Sequence, residues 1–153
     1  MASDFRFSRS TTIDAPPQRV HALLDDFHEW RRWSPWESLD GHMERTYDGP
    51  RSGVGAVYAW RGDRKAGEGR MEVLESEPER VVVDLHFKAP MTARNRVEFT
   101  LTPAPTGGTD VEWVMTGPQN LVMRLMNRLW SMDRMLGPDF ERGLSRLKTA
   151  AES

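Results

Sequence analysis

Apolar residues recur at every second position through most of the chain and at helical spacing in two places, just after the first strand and in the last third. From 5 to 13, Phe5 and Phe7 alternate with Arg6 and Ser8, which predicts a strand that Asp14-Ala15-Pro16-Pro17 ends. Val20, Leu23, Leu24 and Phe27 then follow the i, i+3, i+4, i+7 rule of a helix, and proline is tolerated in a helix's first turn. Asp25-Asp26 loosens that helix. Residues 28–33 predict a second short one, with Trp30 and Trp33 on one face, and Ser34-Pro35 stops it.

Six further strands are predicted over 43–48, 57–60, 68–75, 81–88, 94–101 and 111–116, with turns at Gly49-Pro50, Gly53/Gly55, Gly62-Asp63, Pro78 and Gly107-Gly108. Val81, Val83, Leu85 and Phe87 oppose Val82, Asp84, His86 and Lys88. Asn95, Val97, Phe99 and Leu101 oppose Arg94, Arg96, Glu98 and Thr100, while Val111, Trp113 and Met115 oppose Glu112, Val114 and Thr116. Such alternation predicts an antiparallel sheet with one wet face. The last third changes period. Leu121, Leu125, Leu129 and Met132 make one helical stripe, and Phe140, Leu144 and Leu147 make another. A shorter helix or loop is expected over 120–132. A long helix follows to about 151, started or kinked near Pro138, where a backbone donor is lost. The fold class is therefore α+β: a curved antiparallel sheet of about seven strands around a long C-terminal helix, with two short helices after the first strand.

At 153 residues the chain suits one domain, 1–153. A net charge of −2 gives no pull toward nucleic acid. The absence of cysteine excludes disulfides, thiolate zinc sites and a cysteine nucleophile, and fits a cytoplasmic setting. The first residues lack the apolar stretch of a secretory signal, and no run reaches the roughly 18 apolar residues of a membrane span.

Candidate chemistry is sparse. His21, His28, His42 and His86 form no ligand-spaced pair, so no metal and no cofactor are expected. His86 falls on the outward parity, and His21 and His28 are expected to face water or cap a helix. No G-x-S-x-G elbow occurs, and Gly53-Val54-Gly55 and Gly67-Glu68-Gly69 read as strand turns and bulges, not phosphate cradles. Asn95 is the one mid-strand polar residue of inward parity. Arg45 and Tyr47 share a parity near the rim, and Glu75 stands at a strand end. These supply little for acid–base work. Three of six tryptophans lie in Trp30-Arg31-Arg32-Trp33-Ser34-Pro35-Trp36, a corner that is either a structural plug or the mouth of an apolar site.

Trp30-x-x-Trp33-Ser34-Pro35-Trp36-Glu37, Val54-Gly55 with Trp60 and Gly67-x-Gly69, and the run from Gly137-Pro138-Asp139-Phe140 to Leu147-Lys148 give the chain its likeness to a known group. It resembles the START-like (SRPBCC) superfamily, and within it the bacterial polyketide cyclase/dehydrase type, over nearly its whole length. The resemblance implies a helix-grip fold with a cavity between the concave face of the sheet and the long helix. Strand parity then supplies the lining: Met71, Val83, Leu85, Phe87, Asn95, Val97, Phe99, Trp113 and Met115, with Tyr47 and Trp60 toward the rim. Met123, Met126, Trp130, Met135 and Leu136 join them from the helical segments, and Trp30, Trp33 and Trp36 from the corner. Met91 departs from the bulky or aromatic residue expected after Pro90, and 121–135 is rich in methionine, so a reshaped, adaptable pocket is expected. The partner implied is a small hydrophobic molecule (a lipid, polyketide or aromatic metabolite), carried or sensed by a monomer or homodimer. The alternatives are a polyketide cyclase, aromatase or dehydratase using the same cavity, and a co-chaperone-like protein-binding module.

Overall fold

The computed structural model describes residues 4–35, 43–62, 67–89, 92–118 and 132–153; for Asp4, Met132, Asp133 and Met135 only the backbone is described. The strands are β1 (Asp4–Ile13), β2 (Glu44–Asp48), β3 (Val57–Arg61), β4 (Glu68–Glu77), β5 (Arg80–Ala89), β6 (Ala93–Pro103) and β7 (Thr109–Pro118). They form one antiparallel sheet in the order β1-β7-β6-β5-β4-β3-β2. Because β1 lies at one edge and β2 at the other, the chain between them must cross the sheet. It does so as helix α1 (Pro17–Leu24) and a 3₁₀ turn at Glu29–Arg32. Helix α2 (Met132–Glu152) packs against β1 and α1, giving a helix-grip-like α+β fold.

The predicted elements recur with one correction to the helices. The second short helix is a single 3₁₀ turn, because Pro35 follows too closely for an α-helix to propagate. The long helix begins at Met132, ahead of Pro138, which lies within it. Pro138 is exposed, and Gly137 before it is buried against the Arg9 guanidinium, so the proline ring lies on the wet side of the helix. The shorter helix or loop expected over 120–132 lies, up to 131, outside the described residues.

Strand parity was legible except where the β4–β5 register shifts, between Glu68 and Gly69 and between Val73 and Glu75. At the second shift Glu75 opposes Val82 and so turns onto the convex face. There it joins Arg80 at 2.9 Å and Arg96 at 3.8 Å, and Arg80 also binds Glu98. The network lies over Val82, which is fully buried although its parity is outward. Val82 sits between Glu75 and Glu98 in register, two residues from Arg80, so aliphatic stems cover it. Val114, beyond Glu98 in the same row, is buried too.

The core between sheet and helix is aromatic. Phe140 of α2 stacks on Trp113 of β7 with centroids 4.0 Å apart, and Trp113 stacks on Phe99 of β6 at 5.4 Å. The helix approaches this closely because Gly143 has no side chain: a Cβ there would stand 2.9 Å from Trp113 and 3.0 Å from Pro35.

Candidate functional site

The concave face changes character along its strands. At the end beneath α1 and the 3₁₀ turn, Val81, Phe99, Leu101, Val111 and Trp113 are sealed. Trp33 meets Phe99 and Trp113 edge-on, with centroids at 5.8 and 5.5 Å, and Trp30 leans on Trp33 at 4.6 Å. The polar handles of both tryptophans are already engaged. Trp33 Nε1–H donates to the Leu23 carbonyl and Trp30 Nε1–H to the Leu24 carbonyl, each at 2.8 Å. Those carbonyls are among the ones that the end of α1 leaves without helical partners. Trp30 and Trp33 are therefore held in the core and cap the end of a helix, and Trp33 is 0% exposed.

Toward the other end burial is shallower. Val83, Val97 and Met115 form a buried row, and Met71 and Leu85 a second, shallower one. Beyond them Trp60, Phe87, Asn95, Leu136 and Tyr47 are only partly buried. The Trp60 indole lies across Gly69, where a Cβ would come within 2.4 Å of the ring and 2.8 Å of the His86 carbonyl. It meets Phe87 edge-on at 5.8 Å and Tyr58 in a stack at 6.0 Å, and Tyr58 in turn contacts Tyr47 at 5.3 Å. The Asn95 amide lies over Gly117, its Oδ1 2.3 Å from where a Cβ would stand. Among the described residues the Asn95 side chain makes no hydrogen bond, so its amide is available at this end.

The residues expected to line a cavity thus divide. Trp30, Trp33, Val83, Val97, Phe99, Trp113 and Met115 are packed into the core. Tyr47, Trp60, Phe87 and Leu136 pack partly buried against that core, and Asn95 is partly buried in register with Leu85, itself paired with Met71. Trp36, Met91, Met123, Met126 and Trp130, and the side chain of Met135, lie outside the described residues. Glu75, once a candidate acid–base group, is on the convex face, and His86 lies on that face as expected.

His21 and His28 are not simply solvated. His21 Nε2 lies 3.1 Å from Ser76 Oγ, which donates to Asp25 at 3.2 Å; this ties α1 to β4. His28 stacks on Tyr47 at 4.0 Å and reaches Asp26, which also holds Arg51. The sequence carries part of this signal: Asp26 accepts the backbone N–H of His28 at 2.9 Å, the local turn that an Asp two residues ahead favours. Its pairing with Arg51, across the corner and β2, leaves no local trace. Among the described residues no group of histidine, aspartate and glutamate could hold a metal ion.

The chain matches, over residues 4–152, the model of a family described as polyketide cyclase / dehydrase and lipid transport. No curated protein matches it. Among solved structures, a Staphylococcus aureus protein of unknown function aligns with a TM-score of 0.72 and 12% identity, covering 99% of this chain and 95% of that one. The KanY protein aligns with a TM-score of 0.70 and 19% identity, covering 99% of each chain. DynU16, a protein of the dynemicin biosynthetic locus, aligns with a TM-score of 0.65 and 19% identity over 97% of this chain and 47% of that one. Likeness at these identities is a likeness of fold.

Proposed function

Because the chain belongs to the polyketide cyclase / dehydrase and lipid transport family, we propose that it binds a small, largely hydrophobic molecule bearing one polar group at the half-buried end of the grip. The observation that carries this reading is the division of one concave face into a sealed aromatic plug and a half-buried end. At that end Trp60, Phe87 and Leu136 offer apolar surface and Asn95 offers an amide. Apolar walls with a few placed polar groups bind small molecules in this manner. A hydroxyl or carbonyl of the ligand would bond to Asn95, which can both donate and accept. Carriage or sensing is favoured over turnover. Cyclisation needs converging acid–base groups, and Glu75 is turned away from this face.

Native mass spectrometry of protein purified from its own host tests the reading directly, because a carrier retains its ligand as a defined mass increment. In parallel, a fluorescent fatty acid is titrated against wild type and Asn95→Leu. One hydrogen bond is worth about 0.5–1.5 kcal/mol, so Asn95→Leu is expected to weaken a polar-headed probe about threefold to tenfold. It should leave a purely hydrocarbon probe unchanged. Failure of every apolar probe to saturate the wild-type protein would refute the proposal.

A further inference from the structure

Two glycines on the concave face are not demanded by the backbone. Gly69 in β4 and Gly117 in β7 are paired within the sheet, and neither has the positive φ that calls for glycine at the turns. A glycine inside a strand weakens it, so its place is explained by what must lie close above it. Over Gly69 lies the Trp60 indole, and over Gly117 the Asn95 amide. The seat at Gly117 is closed on three sides. A Cβ there would stand 2.9 Å from the Phe5 ring and 3.3 Å from the Arg94 carbonyl oxygen, with Asn95 Oδ1 closer than either. Gly117 belongs to a row that crosses the sheet. It faces Phe5 on β1, and Asn95 stands beside it on β6, one residue past the Arg96–Thr116 pair. Leu85, Met71 and Tyr58 follow on β5, β4 and β3. Every other member of that row carries a side chain, so position 117 is its notch. The Asn95 side chain is short, and its first torsion has three staggered settings. Only with the notch empty can the amide lie across β7; otherwise it must turn up from the sheet or back toward Leu85.

We propose that Gly117 is a positioning residue for the ligand, acting through Asn95; this rests on the binding reading given above. Its empty seat holds the amide on the β7 side of the face. The ligand is thereby oriented, with its polar group toward β7 and β1 and its apolar body across Leu85 and Met71 toward Trp60 and Phe87. Two consequences of the seat favour this orientation. The amide is kept off the Leu85–Met71 floor, which stays apolar for an apolar body. The amide is also set against the buried Phe5 ring, where reduced access of water strengthens a hydrogen bond to the ligand. The amide alone is therefore not sufficient for selectivity; its seat decides which way a polar group is drawn.

The test uses 2-naphthol and naphthalene, which differ by one hydroxyl and are both uncharged at neutral pH. Each is titrated against the full chain carrying the fluorescent fatty acid, and displacement gives the ratio of the two affinities. Gly117→Ala is expected to lower the 2-naphthol to naphthalene ratio by about threefold to tenfold, the worth of one hydrogen bond. Asn95→Leu should lower it as far, and the two changes together no further, because both remove the same contact. General loosening of the fold would weaken both probes and leave the ratio in place. Asn95→Gln keeps the amide but carries it past the notch, so it too should lower the ratio, and it serves if Gly117→Ala does not fold. A wild-type ratio in folded Gly117→Ala, or in Asn95→Gln, would overturn the proposal and leave the binding reading standing. Failure of the fatty acid and of both probes to bind the wild type would overturn that reading and this one with it.

Discussion

Replacing Trp33 by phenylalanine separates the plug from the ligand-facing surface. The indole is fully buried, and its N–H is 2.8 Å from the Leu23 carbonyl at the end of α1. Phenylalanine supplies no donor there, and leaving that buried acceptor unsatisfied costs about 1–3 kcal/mol. The smaller ring also leaves a void between Phe99 and Trp113, for about 1–2 kcal/mol more. Trp33→Phe is therefore expected to lose about 2–5 kcal/mol, a large part of the ~5–15 kcal/mol that holds a domain of this kind. Trp60→Phe is the matched control. Trp60 is half-buried and keeps an edge-on ring against Phe87 after the change, so its cost is expected to stay within about 1 kcal/mol. Urea denaturation measures stability, and the fluorescent fatty acid measures affinity under native conditions. The expected pattern is crossed: Trp33→Phe loses stability and keeps affinity, whereas Trp60→Phe keeps stability and loses affinity. If Trp33→Phe lost affinity while its urea midpoint stayed at the wild-type value, the tryptophan corner would be a ligand contact and the division of the concave face would be wrong.

Gly69→Ala places a methyl group 2.4 Å from the Trp60 ring and 2.8 Å from the His86 carbonyl, so the indole must swing off the strand. Overpacking of this kind costs about 1–3 kcal/mol, and the displaced ring should change both tryptophan fluorescence and probe affinity; an unchanged emission spectrum with wild-type affinity would contradict the placement of Trp60. Glu152→Gln addresses pH. The Lys148 hydrogen bond, helped by the Asp14 backbone N–H, holds the Glu152 carboxyl below its ordinary value. Its contribution is therefore present above the unfolded-state value and is lost as pH falls through the depressed folded value. Melting temperatures of wild type and Glu152→Gln should differ at neutral pH and converge in acid, and a gap that persisted or widened in acid would reverse the sign of the argument.

Most of the fold was legible because strand parity and helix periodicity are local properties. Phe99, Val97 and Asn95 were assigned to one face by alternation alone, and the register places them there. The errors came where one residue breaks the period or where a distant group intervenes. The extra residue at Leu74 rotated Glu75 out of the grip. Val82, outward by parity, is buried because Arg80 reaches across it to Glu75 and Glu98. Of the two readings of Pro138, as the start of the long helix or a kink in it, the first is excluded, because the helix runs Met132–Glu152 around it with Pro138 exposed and Gly137 buried. The Asp26–Arg51 pair joins residues brought together only by folding.

The tryptophan corner shows why composition alone could not say which end of the grip receives a ligand. Indoles line pockets and fill cores for the same reason: each joins a large apolar surface to one donor. What separates the two uses is where that donor goes. At Trp30 and Trp33 it is spent on carbonyls that α1 leaves over, so the rings cannot rotate toward a ligand without exposing two buried acceptors. The side-chain rows then continue from that fixed point, through Val83, Val97 and Met115, to Asn95 over Gly117. A glycine opposite an asparagine is a poor arrangement for packing, because the amide gains little apolar contact and, among the described residues, no hydrogen bond. Were this face purely structural, a leucine at 95 would bury better. The ligand proposed above would use the amide. Asn95→Leu should therefore raise stability without ligand while weakening a polar-headed probe, and a loss of both would make Asn95 structural.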